Sequence, residues 1–486
     1  MRAFRYLVVS TLVAFAGVST DARGQTGSSL RPTLPPEPAP SPTVEGGDDP
    51  IAAVGLPDET LVDPADSPDA VTTGSTSPAA RPLRARNAEV APLRPVARSR
   101  ENVRPAQPLT PTGETADQEG EARASYEPLG LRRGSFVTYL TSRSALGYST
   151  NAGNTAAGSG AAYTDNRSEI AVRSDFARHA LDFTLRGGLR DYLDSPQKSV
   201  PNVEAIVSGR LDLTEVDRLG GTLRYDWQRE SSSSAEVGTA SGSDIHTLTA
   251  SVGYERRAGL IGLDLRGAVD RTIYSGDDRD NTAVTGSLRL SLDNGAVFRP
   301  FVETSAFARL RDSEVDETGF RRSSAGGEAK VGLAFDHGTV SGEVGAGYAF
   351  ERFDDAALGD LKGFVADGSL AWQPNPLTTF TLKADTVFEP SRLAGASGSI
   401  VRSLDLAAEY ALRPNIILNA GAALTYQDYV GVAREVTTFS VRGGAAWKLN
   451  REVELGLVAT HSIKDSTVSG EDTQETTVEA AITVRR

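Results

Sequence analysis

Residues 181–190 read LDFTLRGGLR, and apolar and polar side chains alternate along this stretch with a period of two. One set of alternate positions holds Leu, Phe, Leu, Gly and Leu, while the other set includes Asp182, Arg186 and Arg190. Strict alternation over this length is typical of a β-strand with one face against an apolar environment and the other against water. Residues 181–190 therefore predict a two-faced strand.

The same pattern recurs to the C-terminus, and eighteen segments of this kind can be marked from residue 135 onward. In the seven clearest segments each face has 38 positions; the apolar face carries no charge and the polar face carries 18. So complete a separation predicts that the polar face lines an aqueous interior, whose charges we expect to include Asp182, Arg186, Arg190, Glu204, Arg210, Asp212, Arg224, Asp226, Arg289, Glu328, Lys330, Glu343, Asp405 and Glu409.

The predicted segments start near residues 135, 167, 180, 203, 218, 245, 260, 282, 301, 324, 339, 363, 377, 402, 415, 436, 452 and 475. Brief turns such as 336–338 and 374–376 alternate with longer polar loops such as 229–243 and 312–322. Short turns on one rim and long loops on the other are typical of outer-membrane barrels, whereas a soluble sandwich or barrel has no reason to sort its connections in this way. We therefore predict an all-β chain: a closed antiparallel transmembrane β-barrel of about 18 strands, preceded by a disordered Pro-rich segment.

Aromatic residues on the apolar face fall near the ends of the predicted strands, and all three Trp are among them. Tyr and Trp prefer the interface between lipid and water, so this placement predicts two aromatic girdles rather than a packed core. The candidate girdle residues are Trp227, Tyr254, Phe335, Phe350, Trp372, Phe388, Tyr426 and Trp447.

The first residues of the chain have the features of a secretory signal peptide. Arg2 and Arg5 precede an apolar run from Leu7 to Val18, and small residues lead to Gly24. The run is shorter than the roughly 20 apolar residues that an uncleaved membrane anchor needs. Residues 1–24 are therefore predicted to be a cleaved signal peptide.

Residues 25–130 are predicted to form a disordered, Pro-rich periplasmic linker, followed by a barrel domain over 131–486. Eighteen of the 25 Pro lie between Pro32 and Pro128, and Tyr126 is the only aromatic residue between positions 26 and 129. Such a segment buries too little apolar surface to offset its ordering entropy. A group of eight acidic residues lies within 45–69, and a group of seven Arg follows within 81–104. The basic half is either a contact to an anionic surface such as peptidoglycan or a solvated spacer.

The composition argues against several classes of chemistry. The chain has no Cys, its four His are far apart, and its net charge is −14, so we expect no thiolate or histidine metal site, no cofactor and no nucleic-acid partner. His246 and His461 are the only candidates for catalysis, but no base, nucleophile and orienting group share a strand face. The prediction is a non-enzyme. Acidic loop clusters such as 312–317 are expected to be solvated, with divalent-cation binding as the alternative.

After the Pro-rich segment, residues 128–136 read PLGLRRGSF and open the strand array. This arrangement resembles the putative outer-membrane β-barrel porin family of Gram-negative bacteria over roughly residues 126–486. The resemblance implies an outer-membrane location with a periplasmic N-terminal segment, insertion by the barrel-assembly machinery, and contact with outer-membrane lipid and lipopolysaccharide. Some members of that family occur with exopolysaccharide systems.

A barrel of eighteen strands belongs to the size class that encloses an aqueous channel. We therefore expect a porin-like channel for small hydrophilic solutes; the alternatives are a component of exopolysaccharide export or assembly, or a structural or adhesive surface barrel. No loop combines a charge cluster with hydrophobic anchors, so no loop is expected to fold inward. The seven clearest strands carry eleven acidic and seven basic residues on the polar face, which predicts a weak preference for cations.

Overall fold

The computed structural model describes residues 125–486 except 194, 196–198, 230–243, 276–278, 294 and 392. The predicted signal peptide and the linker up to residue 124 lie outside the described residues. Within the described part of the chain, no helix is long and apolar enough to cross a membrane.

Nineteen β-strands account for most of the described chain. In chain order they are β1 Leu131–Arg133, β2 Phe136–Ser149, β3 Ala161–Ser174, β4 Ala180–Leu193, β5 Val200–Asp212, β6 Asp217–Arg229, β7 Asp244–Ala258, β8 Ile261–Tyr274, β9 Asn281–Leu292, β10 Phe298–Arg311, β11 Ser324–His337, β12 Val340–Phe353, β13 Leu361–Asn375, β14 Thr378–Pro390, β15 Gly398–Arg413, β16 Ile416–Val430, β17 Glu435–Lys448, β18 Val453–Ser466 and β19 Thr473–Arg485.

Strands β2 to β19 form a closed antiparallel barrel, as predicted. Each strand pairs with the next in the chain, and β19 pairs with β2 from Thr477↔Ser149 to Arg485↔Thr141. Two backbone hydrogen bonds of 2.8 Å between Leu140 and Arg486 extend this closing ladder. The barrel therefore has eighteen strands and no free edge in its wall at the closing position.

Two details differ from the sequence prediction. The three-residue strand β1 folds back on the start of β2 through a turn at Gly134, and it is too short to give a periodic signal. Strand β3 starts at Ala161 rather than near residue 167. Its outward positions Thr164 and Asn166 are polar, so the apolar alternation that marks the other strands is missing there.

The connections sort by length, as the sequence predicted. At one end of the barrel the turns have two to five residues, as in 259–260, 338–339 and 376–377. At the other end the connections are mostly longer, as in 150–160, 230–243 and 312–323. We call these two ends the short-turn end and the long-loop end.

The apolar faces of the strands lie on the outside of the barrel. Large apolar side chains in mid-strand are well exposed, for example Leu290 at 45%, Val331 at 64% and Leu457 at 55%. Buried apolar residues form only small clusters, whereas many charged residues on the opposite face are buried. An outer surface of this kind is stable against lipid rather than against water.

Candidate functional site: the inner wall and the mouth of the barrel

All fourteen candidate lumen charges lie on the strand face opposite to the exposed apolar residues. Ion pairs between strands that are not neighbours in the sheet indicate that this face is the concave one. The Arg289 Nη2 on β9 lies 2.7 Å from Glu343 Oε2 on β12, although β10 and β11 separate these strands. Side chains three strands apart converge on the inside of a closed barrel and diverge on its outside. The charged face is therefore the inner wall.

Charges on β3 to β6 form one network on this wall. Arg186 donates to Glu169 at 2.6 Å and to Glu204 at 2.9 Å, so it bridges strands β3 and β5. Arg224 on β6 also contacts Glu204 and donates to Asp226 at 2.6 Å. Each base in this network meets two acids or an acid on a neighbouring strand, which holds the side chains against the wall.

A second network joins β9 to β13. The Lys330 ammonium lies 2.6 Å from Asp367, 3.3 Å from Glu328 and 3.6 Å from Glu303. Arg289 pairs with Glu343, and its guanidinium carbon lies 3.6 Å from the centre of the Phe301 ring. Lys330 is only 4% exposed, so its charge depends on these carboxylates for compensation.

The other six candidate charges lie outside these two networks. Arg210 pairs with Asp212 at 3.1 Å near the short-turn end, where Asp182 accepts a hydrogen bond of 3.1 Å from the Ser174 N–H. Asp405 lies 3.5 Å from Arg442. Arg190 lies on β4 and contacts Asp165 at 3.2 Å. Glu409 lies on β15, opposite Thr379 on β14.

Several inner-wall charges are absent from the sequence prediction. Asp165 on β3 contacts Arg190, while Arg143 on β2 pairs with Glu479 on β19 across the closing ladder. Arg309 on β10, also absent from the prediction, donates at 2.8 Å to the fully buried Glu351 on β12, which is one of the eleven acidic residues counted on the polar face of the seven clearest strands. The alternation could have found them, although for Asp165 the polar outward residues of β3 hide the signal. Over all eighteen strands the inner acids and bases are close to equal in number.

Seven of the eight candidate girdle residues lie on the outer face near a strand end. Trp227, Phe350 and Tyr426 lie toward the long-loop end, with Phe350 47% exposed. The short-turn end has Tyr254, Phe335, Trp372 and Trp447. Trp372 and Trp447 are 44% and 49% exposed, and the Trp372 ring stacks on Phe380 at 5.2 Å. These seven residues thus lie in two bands, one toward each end of the barrel; their place at a lipid–water interface stays a prediction.

The prediction for Phe388 is wrong. Its position in the alternation assigns it to the outer face, yet it is only 4% exposed and packs in a cluster with Ile400, Leu361, Val365 and Ala349. The last three belong to the inner face of β12 and β13. The outer face of β14 and β15 therefore packs against the inner face of the wall at this point, which requires the end of the β14–β15 hairpin to lie inside the barrel.

The ladder between β13 and β14 shows where the hairpin leaves the wall. Pairing stops at Gly368↔Ala384, although both strands continue toward the long-loop end, whereas β14 and β15 stay paired as far as Pro390↔Gly398. Phe364, on the outer face of β13 next to the departed strand, is 82% exposed. The described residues 385–391 and 393–403, called here the inward hairpin end, thus cross the inner side of the mouth.

The guanidinium of Arg322 binds the tip of the inward hairpin end from the side of the β10–β11 loop. Arg322 lies in the β10–β11 loop and donates to the carbonyl oxygens of Ser391 at 2.6 Å, Ala396 at 2.7 Å and Leu393 at 3.1 Å. It also pairs with Asp316 and is only 4% exposed. On the other side, Ala396 packs against Tyr429 in a second apolar cluster. The expectation that no loop folds inward is therefore wrong. It fails because the residues that anchor the inward hairpin end lie on the flanking strands and in the β10–β11 loop, not in the hairpin loop itself.

At the short-turn end the chain before β1 lies against the rim of the barrel. The carboxylate of Glu127 is 2.6 Å from the Lys448 ammonium at the end of β17, and Arg451 donates to the Ser125 carbonyl at 2.6 Å. A Cβ on Gly130 would lie 2.6 Å from Val137 and 2.8 Å from Tyr139, so glycine allows this close approach. The predicted boundary at residue 130 therefore falls within a segment that contacts the barrel.

The histidines considered for catalysis lie on the outer face. His246 stacks on Trp227 and its Nδ1 is 2.8 Å from the Tyr225 hydroxyl, while His461 contacts Thr476 at 2.8 Å. In the described ranges no cluster of three or more His, Asp or Glu side chains could hold a metal ion. Part of one acidic loop cluster, Asp277 and Asp278, lies outside the described residues.

The chain matches one family model, described as "Putative beta-barrel porin 2", over residues 123–486. No curated protein matches it. Similar solved structures include the copper transporter OprC, with a TM-score of 0.42, 10% identity and coverage of 74% of this chain and 84% of that one. OpdK with vanillate from Pseudomonas aeruginosa has a TM-score of 0.41, 11% identity and coverage of 72% and 99%.

The FrpB iron transporter from Neisseria meningitidis, as the F5-1 apoprotein, has a TM-score of 0.41, 10% identity and coverage of 71% of this chain and 63% of that one. This chain spans less than two thirds of the length of the FrpB structures that it matches.

Proposed function

Since the chain belongs to the family described as "Putative beta-barrel porin 2", we propose that it forms a porin-like aqueous channel for small hydrophilic solutes in the outer membrane of a Gram-negative bacterium. The observation that carries the proposal is the inner wall of an eighteen-stranded barrel, lined with networks of ion-paired Arg, Lys, Asp and Glu. Such a lining stabilises water and polar solutes, because each fixed charge offers hydrogen bonds that an apolar wall lacks.

The proposed orientation has the long loops outside the cell and the short turns in the periplasm. An even number of strands brings both ends of the barrel domain to the same side, and outer-membrane barrels have their short turns on the periplasmic side. The proposed partners follow from this orientation: outer-membrane lipid and lipopolysaccharide around the girdles, the barrel-assembly machinery, and peptidoglycan for the basic half of the linker.

A liposome swelling assay tests the pore directly. Vesicles with the purified full-length protein should swell in isosmotic solutions of small neutral sugars, and the rate should fall as the sugar becomes larger. Vesicles that received the heat-unfolded protein are the control. No swelling with a barrel of verified β-structure would contradict the proposal.

A second candidate function, a component of exopolysaccharide export, is favoured by one observation. Glu127 and Ser125 fasten the last part of the predicted linker to the short-turn rim, where a docking segment would be useful. Deleting residues 26–120 separates the two candidates. An autonomous pore keeps its swelling rate without the linker, whereas an export component loses polysaccharide secretion while its barrel still assembles.

A further inference from the structure

We propose that the inward hairpin end is a constriction that limits the aperture at the long-loop mouth, and that Arg322 is the latch that keeps it there. The conductance part of this inference rests on the proposed pore. The latch part concerns the position of the inward hairpin end and has a readout of its own.

The inward hairpin end spans a wide sector of the mouth. On one side its tip binds the β10–β11 loop through Arg322, and on the other side the Ser397 N–H donates to the Val430 carbonyl at the end of β16 at 2.8 Å. The first contact reaches past β13 and β12 to the β10–β11 loop, whereas the second extends the ladder between β15 and its wall neighbour β16. A segment held at both ends across this sector narrows the opening that a solute meets.

Apolar packing explains why the inward hairpin end lies inside the barrel, but it does not fix the tip in one position. On β14, Phe388 has no ladder partner on β13 and packs instead, together with Ile400 of β15, against Leu361, Val365 and Ala349. Strand β15 keeps its ladder to β16. The apolar contacts are non-directional, so the hairpin can shift while keeping much of its buried area. The three carbonyl hydrogen bonds from Arg322 are directional, which makes this side chain the group that fixes the tip.

The first variant is Arg322→Met, which keeps a long side chain and removes the donors. The matched control is Arg352→Met, because Arg352 lies on the neighbouring strand β12 and pairs with Asp360 on the exposed outer rim. Single-channel recordings should show about twofold higher conductance for R322M, since conductance grows with the open cross-section, and an unchanged value for R352M. If R322M had the same conductance as the wild type, the proposal that Arg322 holds a constriction in place would be overturned.

A reversible lock distinguishes latch release from general damage. The chain has no Cys, and a Cβ at Gly359 would lie 3.6 Å from the Ser397 hydroxyl, close enough for a disulfide between Cys residues at the two positions. In the triple variant R322M, G359C, S397C, oxidation should return the conductance to the wild-type value and reduction should raise it again. If the conductance were the same in the oxidised and reduced states, the inward hairpin end would not be the constriction.

The latch can also be tested without any current. Ser397 is 1% exposed, so a Cys at this position should react slowly with a fluorescent maleimide in the folded barrel. With R322M the labelling should become about tenfold faster, because the tip then opens locally more often; with R352M it should not change. Equal labelling rates in all three backgrounds would refute the latch. If labelling responds but no protein conducts, the proposed pore fails and the latch stands.

Discussion

Glu351 is the residue that best shows how the inner wall depends on charge compensation. It is fully buried, and its Oε1 accepts hydrogen bonds from Arg309 at 2.8 Å and from the Ser324 hydroxyl at 2.6 Å. A buried charge without its partner is costly, so the stability of this region depends on the pair remaining intact. Arg309 is itself only 4% exposed, so little water can replace the lost partner.

Glu351→Gln should destabilise the barrel by about 3 to 5 kcal/mol, because it leaves the Arg309 guanidinium buried without a counter-charge. The measurement is the free energy of unfolding in urea, with the barrel in lipid vesicles. Asp360→Asn is the matched control, since its pair with Arg352 is exposed and should contribute less than about 1 kcal/mol. Equal losses in both variants would contradict the account of a compensated inner wall.

Two residues mark the limit of reasoning from alternation. The pattern places Asp182, Lys330 and Glu343 on the strand face opposite to the exposed apolar residues, because period two reports orientation wherever a strand stays in the wall. Phe388 obeys the same pattern, but its strand leaves the wall, so its outer face meets protein instead of lipid. Arg322 lies in an aperiodic loop, and its contacts to residues 391–396 are long-range, so no local signal predicts them.

At the scale of an element, the β10–β11 loop supplies the latch and carries its own titratable group. Burial opposes ionisation of Asp316, but hydrogen bonds from the Phe320 N–H, the Thr318 hydroxyl and Arg322 outweigh it, so the pKa of Asp316 is held below its ordinary value of 3.8. The other charged group that faces it is Asp355, on the β12–β13 loop.

A lowered pKa fixes the pH dependence of the latch. The ionised form stabilises the loop fully above pH 3.8, and this contribution is lost as the pH falls through the lower value of the folded state. Conductance should therefore stay constant from neutral pH down to 3.8 and rise only below it. Asp316→Asn should raise the conductance at neutral pH and remove the acid step. A wild-type profile in D316N would exclude Asp316 from the latch.

At the scale of the whole molecule, the sorted connections give a testable topology. A Cys replacing the exposed Glu317 in the β10–β11 loop should react with an impermeant maleimide on intact cells. One replacing Pro376 in the β13–β14 turn should react only after the outer membrane is permeabilised. The opposite pattern would reverse the proposed orientation.

The charge balance of the whole inner wall sets the ion preference. Acids and bases are close to equal in number over the eighteen strands, and most are paired at short distance, so the fixed field in the channel is small. The cation preference expected from the seven clearest strands should therefore be very weak, and it should fade as salt rises, since screening acts within about 8 Å at physiological ionic strength. The reversal potential in a KCl gradient measures it, and clear anion selectivity would contradict the expected sign.

Current through a single barrel is the measurement that tests the central claim most directly. The purified full-length protein, with β-structure verified by circular dichroism and a compact form on an unheated gel, is added to a planar lipid bilayer. An ion-paired, water-filled lumen predicts discrete conductance steps that grow in proportion to the salt concentration. A correctly folded barrel that inserts and gives no steps, in the wild type and in R322M alike, would contradict the claim that this molecule is a pore.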